Sequence, residues 1–179
     1  MEHYEKTLEV QEVYHGKILR LTRDLVELEN GKTAFREIVH HHGGAGVVAM
    51  TEAREIYMVR QFRYAFGQEL LEIPAGKLEK GENPREAALR ELKEECGLQA
   101  EEVRDLGPIY PTVGYDSEII HLFLATGLSP VQGTPDEDEF LTVEKWPLKT
   151  LVEKVMTGDI RDGKTVAAIL KTWLLINED

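Results

Sequence analysis

From Lys17 to Leu28 the chain reads KILRLTRDLVEL, with apolar and polar residues alternating over part of the stretch. A period of two suits a strand with one covered face. Asn30-Gly31 behind it is a hairpin turn signal, which makes KTAFREIVHH (32–41) the expected return strand. AGVVAMTE and EIYMVRQFR predict a second hairpin around Ala53-Arg54, and ELLEIPAG (69–76) predicts a short strand entering a glycine-containing loop. Two more strand-like segments lie around 102–110 and 118–126, and two helical ones at 147–158 and 163–177. With a helix between the two groups of strands, the order predicts an α/β fold: a mixed sheet with helices against it. The hairpin-rich residues 1–42 are expected to form an N-terminal β-rich arm, with residues 43–179 as the main domain.

That intervening helix is REAALRELKEECG, residues 85–97. Asn83 is a good N-cap, Pro84 suits the first helical position, Glu86 completes a capping-box pattern, and Gly97 is placed to end it. Ala88, Leu89, Leu92 and Cys96 form an apolar face, and Ala87, Glu91, Glu94 and Glu95 a neighbouring acidic one. Glu91 and Glu95 are four residues apart, and like charges at that spacing repel by a few tenths of a kcal/mol. They also crowd the helix end whose dipole prefers cations. Arg90 can pair with Glu86 and Glu94, which leaves Glu91 and Glu95 without an evident local partner. Either this is a solvated acidic face, or the acids are hard-oxygen ligands for Mg²⁺ or Mn²⁺.

Composition narrows the function classes. Acids outnumber bases 33 to 21, a formal net charge of −12. Such a surface repels nucleic acid and anionic membranes, so neither is an expected partner. Phosphate-bearing small molecules would be repelled too, unless a cation mediates. Cys96 is the single cysteine, no apolar run reaches the roughly 20 residues of a membrane span, and MEHYEKTLEV lacks a signal-peptide core. A cytoplasmic setting is the expectation.

Gly76, five residues, Glu82, seven residues, then Arg90-Glu91-Leu92-Lys93-Glu94-Glu95-Cys96-Gly97-Leu98 is the full signature of the Nudix hydrolases. Beyond it, VRQFRYAFGQELLEIPAGKLEKGE, GYDSEIIHLFLA and DEDEF resemble the ADP-ribose pyrophosphatase branch. The resemblance implies an α/β/α sandwich with a mixed sheet. It implies Mg²⁺- or Mn²⁺-dependent hydrolysis of a nucleoside diphosphate derivative: ADP-ribose, giving AMP and ribose 5-phosphate. It also implies a domain-swapped homodimer whose N-terminal strands cross to the partner. Two alternatives stand beside this, a hydrolase of another nucleotide sugar (GDP-mannose or UDP-glucose) and a nonenzymatic nucleotide-sensing domain. The substrate is the weaker part of the match, because Val113 in Tyr110-Pro111-Thr112-Val113-Gly114 stands where the branch usually has a marker proline.

Carried over by position, the metal ligands implied are Glu91, Glu95, the Ala75 carbonyl and Glu94 as a further ligand. Glu82 and Arg90 would brace the loop and helix. Glu139 is the implied general base, with Glu137 beside it and Glu94 as the other candidate. Arg63 would contact substrate phosphates, Arg36 would reach the partner's site, and Glu72 would orient the metal loop or substrate. His40, His41 and His42 are consecutive, so in a strand they cannot converge on one ion. Cys96, on the apolar arc, is expected as a buried small residue, and Trp146 and Trp173 as packing residues.

Overall fold

The computed structural model describes residues 3–133 and 140–177. Two compact units are distinguished: residues up to Gly43 together with Tyr110–Ile119, and Gly44–Ile109 together with Ile120 onward.

The first unit is an antiparallel sheet in the order β1 (Lys6–His15), β2 (Arg20–Glu27), β3 (Thr33–His40). The turn between β2 and β3 sits at Asn30-Gly31, where Gly31 adopts φ of 76° and Asn30 Oδ1 accepts from Lys32 N at 3.0 Å. This is the turn chemistry the two residues favour. Residues 110–119 join through Val39, whose N–H donates to Tyr115 O at 2.7 Å and whose carbonyl accepts from Ser117 N at 2.9 Å. The sequence pattern does not anticipate β1. All ten of its residues are exposed, and its pairing with β2 shifts register twice, between Thr7 and Glu9 and between Glu12 and Tyr14.

The second unit contains a seven-stranded sheet: β10 (Leu141–Pro147), β5 (Glu55–Arg63), β4 (Gly44–Met50), β9 (Ile120–Pro130) and β8 (Leu98–Ile109), with β6 (Gln68–Glu72) on β5 and β7 (Ala75–Lys77) on β4. β4 and β9 run parallel and every other pairing is antiparallel, so the sheet is mixed. Its helices are α1 (Pro84–Cys96), α2 (Leu148–Thr157) and α3 (Gly163–Ile176).

Strand parity explains the layering. Successive side chains of β4 and β9 point to opposite faces. Ala45, Val47 and Ala49 join Phe123 and Ala125 against Ala87, Ala88 and Leu92 of α1. Val48, Leu122 and Leu124 join Ile56 and Met58 on the other face, against Leu148 and Leu151 of α2 and Ala168 and Ile169 of α3. Continuous apolar runs thus read as strands covered on both sides. Burying each large aliphatic side chain contributes about 1.5–3 kcal/mol. The result is the α/β/α sandwich expected, with small alanines on the α1 side letting that helix lie close to the sheet. No helix among the described residues is long and apolar enough to cross a membrane.

Candidate active site

β7 and α1 place the acids. Asn83 Oδ1 caps the helix by accepting from Arg85 N at 2.9 Å, with Pro84 at the first position. Among the described residues, no bond from Glu86 returns to Asn83 to complete the capping box. Gly97 ends the helix at φ of 63°, its N–H reaching Leu92 O and Lys93 O. Within these limits Glu91 and Glu95 are both nearly buried.

The loop before the helix closes onto these carboxylates. Ala75 N donates to Glu95 Oε2 at 3.0 Å, which aligns the residue whose carbonyl is the implied third ligand. A Cβ on Gly76 would sit 1.9 Å from Glu91 Oε1. Glycine is needed there for room, because the backbone passes against the acid.

Arg90 gathers the acids, and here the sequence expectation needs correcting. Its Nε donates to Glu82 Oε1 at 2.9 Å and its Nη1 to Glu91 Oε1 at 2.7 Å and Glu94 Oε2 at 2.9 Å. Glu86 takes no part. Glu91 therefore has a partner one residue away in the chain. Arg90 also donates to the Lys77 carbonyl at 3.3 Å, so one side chain ties loop to helix.

The Glu82–Arg90 pair has a pH consequence. The guanidinium holds the Glu82 carboxyl below the usual carboxylate range, aided by the Glu79 amide and opposed by burial. A depressed folded pKa contributes stability above the ordinary carboxylate pKa, which is lost as pH falls through the depressed value. We expect Glu82→Gln to lower stability at pH 7 by on the order of 1 kcal/mol. The difference from wild type should shrink as denaturation is repeated toward acid, and an equal loss at every pH would contradict the linkage.

A second cluster forms around Glu72, which is 1% exposed. Arg63 Nε and Nη2 donate to its two oxygens at 2.6 and 2.7 Å, and Lys164 Nζ donates to Oε2 as well. Lys164 also donates to Asp162 Oδ2 at 2.8 Å. Asp162 caps α3 through Thr165 N, and the buried Thr165 hydroxyl donates to Asp162 while accepting from Ile73 N at 3.0 Å. Burial opposes ionisation of Asp162, yet Lys164 and Thr165 hold its carboxyl below the usual range. Neither Lys164 nor Asp162 is singled out by the sequence; the only signal is the DGK run that opens α3.

The structure thus brings together Ala75, Glu91, Glu94 and Glu95, and separately Arg63 with Glu72. Arg36 belongs to the first unit, where its Nε donates to Glu5 Oε2 at 2.9 Å. Glu139 and Glu137 lie outside the described residues. His40 pairs with Thr22, and His41 Nδ1 lies 3.2 Å from Glu118. Burial and the Glu95 charge push the Cys96 thiol up to about 12, so its thiolate is disfavoured at neutral pH.

Among the described residues no three acidic, histidine or cysteine side chains form a ready-made cation cage. The donor set still suits a hard dication: two nearly buried carboxylates and a main-chain carbonyl, with a third carboxylate held by Arg90.

Known proteins resemble this chain along most of its length. The chain is 42% identical over 167 residues to a methanol dehydrogenase activator of Bacillus methanolicus, covering 92% of this chain and 90% of that one. It is equally identical, over the same shares, to an ADP-ribose pyrophosphatase of Bacillus subtilis (strain 168). A crystal structure of an ADP compounds hydrolase superposes with a TM-score of 0.84 over 96% of this chain and 94% of that one, at 24% identity, a likeness of fold. The NUDIX domain model matches residues 40–169, a span that holds both β7 and α1, and the chain belongs to that family.

Proposed function

We propose that this protein hydrolyses the diphosphate of ADP-ribose to AMP and ribose 5-phosphate. The observation that carries the reading is the β7–α1 corner, with Glu91 and Glu95 buried against Ala75 and Gly76, in a chain 42% identical to an ADP-ribose pyrophosphatase. Water adds to one phosphorus, the bridging P–O bond breaks, and the water proton leaves to a base.

Glu91, Glu95 and the Ala75 carbonyl would hold Mg²⁺ or Mn²⁺, with Glu94 as a further ligand. When bound, such an ion neutralises phosphate charge and lowers the pKa of its water. Arg90 keeps Glu91 and Glu94 at one end of the helix despite their repulsion. Arg63, its Nε and Nη2 committed to Glu72, meets substrate phosphate with its remaining donors. Glu139 is the proposed base, followed by Glu137 and Glu94.

Residues 1–42 are proposed as an arm and 43–179 as the hydrolase domain. Leu8, Val10, Val13 and Tyr14 are exposed on β1, an outer strand, which supports a homodimer in which the arms exchange and Arg36 serves the partner's site. A single cysteine, pushed toward its neutral form, suits the cytoplasm.

The test is phosphate release by excess phosphatase after incubation with ADP-ribose, GDP-mannose or UDP-glucose. Preferential ADP-ribose turnover that EDTA abolishes is the expected result. Preference for another sugar nucleotide would overturn the substrate and keep the chemistry. Binding without turnover of any compound would favour a sensor.

A further inference from the structure

We infer that Lys164 is a positioning residue for phosphate recognition: acting through Glu72, it keeps Arg63 oriented and its charge available toward the substrate diphosphate. This rests on the reading of Arg63 given above.

The geometry begins with burial. The Lys164 side chain is 11% exposed and that of Glu72 2% exposed, whereas Arg63 is 39% exposed. A buried ammonium is costly unless it is paired, and Lys164 is paired twice, to Glu72 and Asp162. Arg63 spends Nε and Nη2 on Glu72, which fixes the plane of the guanidinium and leaves Nη1 as the donor group facing away.

Glu72 Oε2 is shared between Arg63 and Lys164. The two cations balance Glu72 and Asp162. Remove Lys164 and the four-residue group becomes net negative, with Glu72 answering to Arg63 alone. In a protein of net charge −12, an anionic substrate then meets a weaker positive field at Arg63. Lys164 is itself held firmly. Asp162 and Thr165 fix the first turn of α3, and Thr165 Oγ1 takes the Ile73 amide of the loop that runs to Ala75. One helix start thus supports both the phosphate-facing arginine and the carboxylate-bearing corner, the kind of backing a site needs to hold its geometry.

The test compares Lys164→Met, Lys164→Gln, Lys164→Arg and Asp162→Asn by steady-state kinetics with ADP-ribose and by thermal unfolding. Lys164→Met keeps the apolar stem and loses the charge. We expect its KM to rise about tenfold, the loss of one charge-assisted contact, with kcat within about threefold of wild type. Lys164→Gln should behave alike and serves if the methionine variant does not fold. Lys164→Arg should recover most of the affinity. Asp162→Asn weakens the α3 cap and the seat of Lys164, so it should lower the unfolding temperature.

A lowered unfolding temperature with unchanged KM in both Lys164→Met and Lys164→Gln would make the residue merely structural and overturn the inference. A fall in kcat with KM unmoved would overturn it equally. Absence of ADP-ribose turnover in the wild type would remove the functional reading and this inference with it. Wild-type turnover with an unmoved KM removes this inference alone.

Discussion

Glu95→Gln is expected to reduce turnover by about three orders of magnitude or more, since losing a metal's contribution costs several kcal/mol and each 1.4 kcal/mol is about tenfold. The substitution preserves shape, and the new amide oxygen can still accept the Ala75 N–H that Glu95 Oε2 accepts at 3.0 Å. What it removes is charge at a nearly buried position. Apo stability should therefore hold or rise slightly, because one of three crowded acids no longer opposes the others or the helix dipole. A second readout separates ligand loss from misfolding. Mg²⁺ should raise the unfolding temperature of the wild type, as any ligand binding only the native state must, and should barely move that of the variant. Retention of most of the wild-type rate, or an undiminished Mg²⁺ shift, would remove Glu95 from the ligand set.

The corner that holds Glu95 was readable because its determinants are local. Asn83, Pro84 and Gly97 bound the helix, and Gly76, Glu82 and Arg90 recur at fixed spacing from the acids. β4 and β9 were readable as strands for a similar reason, as short apolar runs bounded by glycine or polar residues. Three features were not. β1 lost its period of two because its register with β2 shifts twice, so Leu8, Val10, Val13 and Tyr14 fall out of step. β10 mixes exposed and half-buried positions and ends at Pro147, which leaves no clean alternation. Lys164 stands 92 residues from Glu72, and a pairing across that distance leaves no mark on either neighbourhood. Even inside the motif, local spacing suggested Glu86 for Arg90, whereas the arginine reaches Glu82 and Glu91, because its side chain is long enough to ignore helical periodicity.

Gly76→Ala is expected to be as damaging to turnover as loss of a carboxylate, through sterics alone. The added Cβ would lie 1.9, 2.3 and 2.8 Å from Glu91 Oε1, Cδ and Oε2, distances no native packing tolerates. Gly76 is not among the glycines with positive φ, so alanine meets no backbone penalty there. The strand cannot retreat easily, because Gly76 pairs with Ala45 in the buried β4. The Glu91 carboxylate must move instead, giving up its 2.7 Å bond from Arg90. Overpacking of this kind costs about 1–3 kcal/mol. A double-mutant cycle isolates the cause. In a Glu91→Ala background the clash has no second partner, so adding Gly76→Ala should cost little stability while turnover stays lost. If the glycine substitution costs the same in both backgrounds, the close approach to Glu91 is not why glycine stands at this position.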